Sequence, residues 1–222
     1  MIEISAPVRK KQHGTALEAT HLRLHHATHQ IHTRLTGQPL LHGLLRPDYP
    51  LEKYKLVLAV NFHIYRALEA AIEAALAIPG LAAPFNYEER RKLPWLREDL
   101  RYLAIDPEAP IYRPRQSIAL PLPNGSGELI GLMYVIEGAT KGGQVVSREL
   151  RNNFGMTASS GARFFNAYGD ASETARRWRE FEEYADSVRH DPVQMGAAES
   201  AATVAFEMVE KELDDYYTRL PF

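Results

Sequence analysis

Five histidines crowd the first part of the chain: His21, His25, His26, His29 and His32. Imidazole titrates near neutral pH and is the commonest side-chain ligand for metals. His21, His25, His29 and His32 follow i, i+4 or i+3 steps, so a helix would project all four from one side. Three chemistries fit that pattern: a zinc or di-iron site, an axial ligand for heme iron, and a solvated polar face. Di-iron carboxylate bundles take Glu-x-x-His motifs from two helices. Glu18 and His21 form one, and the sequence holds no second. It also lacks the His-Glu-x-x-His metalloprotease motif. His32 differs from the other four in its neighbours, coming directly after Ile31 and three residues before Leu35. A histidine at the edge of an apolar stripe can point a neutral ring nitrogen into a cavity.

A second constellation is the stretch YVIEGATKGGQVV at residues 134–146. Gly138, Gly142 and Gly143 interrupt what otherwise reads as a long helix, each weakening it by roughly 0.5–1 kcal/mol relative to alanine. Gly138 and Gly142 are four apart and share a face. A face without Cβ atoms admits something flat or bulky against the backbone, or a tightly packed second helix, and the spacing leaves both readings open. Gly143 adds freedom for a kink.

The elements that must carry these residues are helices. Leu17, Leu22, Leu24, Ile31 and Leu35 outline a helix from Thr15 to about Leu35, ended by the Gly37–Pro39 segment. A second runs from Pro50 to about Ile78 and stops at Pro79 and Gly80. Helical propensity returns in YEERRKL, is interrupted at Pro94 and resumes in WLREDLRYLAI. A loop rich in proline precedes the glycine-bearing helix, expected over about 127–153. Shorter helices follow near 160–167 and 171–188, and a last one spans about 192–217. Strand-like alternation is nearly absent. The expectation is an all-α protein with a flexible N-terminal tail at 1–13 and one helical domain at 14–222.

Composition narrows the chemistry further. The 222 residues are 45% hydrophobic and 24% charged, with a net charge of −2, which points to neither nucleic acid nor a membrane surface as a partner. There is no cysteine, which excludes disulfides, thiolate metal sites and cysteine nucleophiles. No segment approaches the roughly 20 apolar residues that cross a bilayer, and the N-terminus lacks the apolar core of a signal peptide. A cytoplasmic protein without a membrane anchor is expected.

Four stretches together resemble the heme oxygenase family, in particular its soluble, biliverdin-producing bacterial members. ATHQIHT at 27–33 is similar to the family's proximal helix. The segment from Tyr54 to Glu69, ending HIYRALE, is similar to its second helix. YVIEGATKGGQVV resembles the distal helix, and Gly161 to Phe165 the Phe-Phe segment after it. The likeness spans residues 24 to about 215, with the motifs in the family's order.

The resemblance implies a single-domain fold with heme held between a proximal and a kinked distal helix. It implies His32 as the axial ligand of the heme iron, with Gly138, Ala139 and Gly142 on the distal, catalytic side and Gly143 against the cofactor. Heme would be both cofactor and substrate, cleaved with O2 to biliverdin, carbon monoxide and ferrous iron. The electrons would come from an external donor, a ferredoxin or NAD(P)H-dependent reductase, because the chain has no dinucleotide-binding fingerprint. Carboxylates of the heme need cations at the rim. The resemblance puts His25 and Arg179 there, with Arg176 or Arg177 compensating for Glu183 at a position where the family has arginine. The chain departs from the animal-type pattern at Ala139, where that branch has aspartate, and at Phe62 and Val135, where it has tyrosine and arginine. Bacterial members with Glu-Gly-Ser/Ala sequences share the small residue. These departures leave a non-catalytic heme carrier or sensor on the same fold as the alternative function. A thiamin-degrading enzyme on a related all-α fold is excluded by the missing cysteine.

Overall fold

Helix α1, Thr20–Thr36, buries Leu24, Thr28, Ile31 and Leu35, spaced four, three and four apart, and turns its histidines the other way. The computed structural model describes residues 18–219. The expected N-terminal tail at 1–13 lies outside the described residues. No side chain of α1's own caps its first turn; instead Asp186 accepts from the Thr20 amide at 2.9 Å. The expected stop at Gly37 is present, and there the chain does what the pattern did not foresee. The Gln38 side chain accepts from the amides of Leu40 and Leu41, and Pro39 opens a short second helix, α2, Pro39–His42.

Helix α3, Leu51–Leu76, is buried almost all round, from Tyr54 to Ala75, and forms the centre of the molecule. The YEERRKL segment forms only a short 3-10 turn, Tyr87–Arg90. Pro94 begins a helix rather than breaking one, because it stands in the first turn of α4, Leu93–Tyr102, where its missing N–H costs nothing. Glu69 on α3 caps that turn, accepting from the Lys92 amide at 2.5 Å and the Leu93 amide at 2.9 Å.

Helix α5, Ser126–Phe154, is the longest element at 29 residues, roughly 43 Å at 1.5 Å per residue. Gly155 closes it in the left-handed region at φ 67°. Asp99 then organises the short α6, Arg163–Asn166, accepting from the Arg163 and Phe164 amides at 2.7 and 2.8 Å. Helix α7, Ala171–Ala185, is capped by Asp170 through the Glu173 amide. Helix α8, Pro192–Arg219, runs along α5 and α1. The described residues form helices and connecting turns without a strand, as expected. No described helix is long and apolar enough to cross a membrane.

The contact between α5 and α8 is built from small residues. A Cβ added to Gly127 would meet the Gln194 carbonyl and lie 2.9 Å from the Ala197 Cβ. One added to Gly131 would meet the Ala198 carbonyl and lie 2.9 Å from the Ala201 Cβ. These two glycines bring the backbones together, and Ala198, Ala202 and Ala205 complete the buried seam. Ion pairs from Arg23 to Glu199 at 2.7 Å and from Arg34 to Glu210 at 2.6 Å join α1 to α8. With α8 holding both α1 and α5, a space is left between those helices, α3 and α7.

Candidate heme site

That space is a cavity of about 740 Å3, within the size range of small-molecule and cofactor sites. Its walls are mainly apolar, including Leu35, Ile64, Leu68, Val135, Val146, Phe164, Phe165, Phe206 and Leu213. Helix α1 contributes His21, His25 and His32, and α5 contributes Gly138, Ala139, Lys141, Gly142 and Gly143. The fold therefore brings together the two features that the sequence singled out separately.

His32 is open to the cavity and meets Phe206 edge-on, ring centroids 6.2 Å apart. Partial burial holds its pKa below the ordinary 6.5, and the nearby His25 and His29 add to the effect. All three act in one direction, because desolvation and neighbouring positive charge both disfavour imidazolium. At pH 7 the ring is therefore mostly neutral, with a free lone pair. His25 also lines the cavity, 5.4 Å from the His29 ring and 5.9 Å from that of His26. His26 and His29 are exposed and lie outside the lining, His26 paired with Glu18 at 3.2 Å.

The glycines of α5 divide into two kinds. A Cβ built on Gly138 or Gly142 meets nothing within 4 Å. Helix packing therefore does not explain this pair; it explains Gly127 and Gly131, about three turns earlier. Gly143 is intermediate: it borders the cavity, but its Cβ would sit 3.3 Å from the Phe165 carbonyl. Helix α5 is continuous through all three, with no break at Gly143.

Ala139 and Val135 line the cavity, whereas Phe62 does not. The Phe62 ring packs against His63 at 5.3 Å, with the Arg66 and Arg97 guanidinium groups 5.6 and 5.9 Å away. The α3 face turned to the cavity is Asn61, Ile64, Tyr65 and Leu68, a helical i, i+3, i+4, i+7 set offset by one residue from Phe62. Burial raises the pKa of the Tyr65 phenol, which stays protonated.

The arginines expected at the rim are not among the residues that line the cavity. Arg179 is exposed and absent from the lining. Arg177 pairs with Glu173 at 2.6 Å and Glu89 at 3.1 Å, its guanidinium 4.6 Å from the Tyr168 ring. Arg176 pairs with Glu173 and Glu180. What α7 presents to the cavity is Trp178, whose indole N–H donates to Glu182 at 2.6 Å. Over that indole, 4.3 Å from its centroid, sits the Lys141 ammonium. Sequence spacing could have found Lys141, since it falls three residues after Gly138 on the same side of α5. Trp178 carried no local signal.

Behind the bare face of α5 lies a buried ionic network. Glu137, directly before Gly138, is 3.3 Å from Arg90 and 3.7 Å from Lys92 and accepts from the Tyr168 hydroxyl at 2.8 Å. Arg90, Lys92 and Glu137 are each at most 2% exposed. Desolvation lowers the Lys92 pKa to about 8 against the pull of Glu137.

An imidazole on one helix, a backbone with open space above it on another and apolar walls between suit a flat iron macrocycle. The wider comparisons agree. The family model "Heme oxygenase" matches residues 19–215. A heme oxygenase of Xanthomonas campestris pv. campestris (strain 8004) is 32% identical over 117 residues, a match covering 53% of this chain and 61% of that relative. The structure of Neisseria meningitidis heme oxygenase with NO and CO bound shares the fold at a TM-score of 0.69, with 21% identity, covering 90% of this chain and 92% of the other. Heme oxygenase-2 of Synechocystis sp. PCC 6803, in complex with heme and NO, gives a TM-score of 0.70 at 19% identity, covering 90% of this chain and 86% of the other. With a family match over nearly all the described residues, and a cavity that pairs a free imidazole with a bare helical turn, this chain belongs to the heme oxygenase family.

Proposed function

We propose that the chain is a heme oxygenase, binding heme through His32 and cleaving it to biliverdin, carbon monoxide and ferrous iron. When bound, heme supplies both the iron that activates O2 and the ring that is opened. The protein's own part is positional. A neutral His32 offers its nitrogen to the iron; neutral imidazole donors occur at heme sites of several chemistries, whereas thiolate favours O–O cleavage. Gly138 and Gly142 leave room for a diatomic molecule and a ring edge where side chains would stand. The aromatic and aliphatic walls exclude water from a reactive site. Asn61 and Tyr65 supply polar groups on the α3 wall, and Ala139 keeps the distal turn small. Electrons come from an external donor, a ferredoxin or NAD(P)H-dependent reductase, in a cytoplasmic setting. The observation that carries the reading is the open space over Gly138 and Gly142 in the cavity that His32 also lines.

A heme carrier or sensor is the second reading, favoured by one observation: no carboxylate lines the cavity to relay protons. Titration with hemin should give one-to-one binding with a histidine-type Soret band that His32→Ala abolishes. Adding ascorbate in air should then convert the bound heme to biliverdin. Saturable hemin binding without any biliverdin would favour the carrier. An unchanged spectrum in His32→Ala would move the ligand to His25 or another lining histidine.

A further inference from the structure

The cavity is lined by 29 residues, of which four are histidines, one is a lysine and none is an aspartate or glutamate. Lys141 is thus the one permanently charged group on its wall. Among the arginines of the neighbouring helices, Arg23 and Arg34 pair with α8 and Arg176 and Arg177 with Glu173, while Arg179 is exposed and does not line the cavity. No described carboxylate lies within ion-pair distance of the Lys141 ammonium, and its contact is instead the face of Trp178. That indole is fixed from behind, since Glu182 accepts its N–H. The same carboxylate lies 3.4 Å from His21, whose ring is 6.4 Å from the indole. Glu182 therefore occupies the imidazole and the indole N–H and leaves the lysine free. A cation held over an aromatic ring at the edge of an apolar cavity keeps its charge and can still take an anion with a charge-assisted hydrogen bond.

We propose that Lys141 binds a carboxylate of the ligand in this cavity and thereby fixes how the flat ring is rotated about the axis through His32. The assignment rests on the heme reading and adds to it the residue that chooses which edge of the ring faces Gly138. A cation on α5 itself ties the carboxylate to the helix that also carries the bare turn. Rotation of the ligand and placement of the opening edge are then set by one element.

The test compares hemin with hemin dimethyl ester, in which both carboxylates are masked, in binding titrations followed by absorbance. The parent should bind hemin roughly tenfold more tightly than the ester, the low end of what a charge-assisted contact contributes. Lys141→Met should bind the two about equally, and Lys141→Arg should restore the preference. Thermal melts of the apo variants should match the parent, because the side chain is exposed. The biliverdin isomer ratio should also shift in Lys141→Met. If Lys141→Met keeps the full preference for hemin, or Arg179→Met loses it instead, the carboxylate lies elsewhere and this assignment fails while the heme reading stands. Absence of saturable hemin binding by the parent overturns both.

Discussion

A glycine in a helix has two physical uses, and α5 contains both. At Gly131 the missing Cβ lets α8 approach, and at Gly142 nothing approaches at all. The two positions should respond oppositely to the same change. Gly131→Ala forces a methyl group against the Ala198 carbonyl, so stability should fall by about 1–3 kcal/mol, as for other overpacked contacts. Gly142→Ala adds a better helix former in open space and should raise stability by roughly 0.5–1 kcal/mol. Gly142→Leu fills the space above the backbone. It should remain folded and bind hemin through His32 but lose most ascorbate-driven biliverdin formation. Melting temperature, hemin affinity and product yield distinguish these outcomes. Biliverdin made by Gly142→Leu at the parent rate would remove the access explanation for the bare turn.

At the scale of elements, the distal face of α5 is backed by charges that water does not reach. Glu137 joins α5 to the segment before α4 through Arg90 and Lys92, and to the segment after α6 through Tyr168. Arg90 continues to α7 through Glu180 at 2.8 Å. Such a network fixes α5 from behind, while its other face must stay free. Burying Lys92 has a consequence that depends on pH. Its folded pKa of about 8 lies below the ordinary 10.5. Between those values the unfolded chain holds a proton that the folded one has released. Stability from this group therefore increases as pH rises from about 8 to 10, and the penalty is present in full below 8. Lys92→Met removes the titration. Urea unfolding of parent and variant should show the parent gaining on the variant across that interval. Parallel curves would mean that Lys92 keeps its proton beside Glu137.

For the molecule as a whole, the cavity is a gap that the packing of α1, α3, α5, α7 and α8 holds open, with Leu22, Leu45 and Val145 left exposed around it. A ligand that binds only the folded state adds stability by mass action, about 2.7 kcal/mol at one hundred times its dissociation constant. For a domain of this size that is roughly 5–10 °C in melting temperature. Hemin at that excess should raise the melting temperature of the parent by this amount. Gly138→Ala should be raised similarly and His32→Ala much less. An equal shift in His32→Ala would mean that apolar contact alone, without iron ligation, accounts for the binding.

The sequence alone determined the helical class and most element positions, and it singled out two features that the fold brings to one cavity, His32 and the Gly138–Gly142 turn. These were legible because helical periodicity and the scarcity of glycine in helices are local properties, written within a few residues of each other. Tertiary structure decided the rest. Whether a glycine serves packing or access depends on what stands opposite it, and Gln194, Ala198 and Ala201 are far along the chain from Gly127 and Gly131. Pro94 opens α4 with a cap from Glu69 on another helix, a partner that the pattern YEERRKLPW does not reveal. The cation facing the cavity is Lys141 rather than Arg179. The reason is that the rotation of α7 turns Trp178 inward, and the glutamates of α7 and its neighbours hold Arg176 and Arg177 elsewhere. Rotation of a helix about its axis is set by the sum of its contacts, and that sum exists only once the chain has folded.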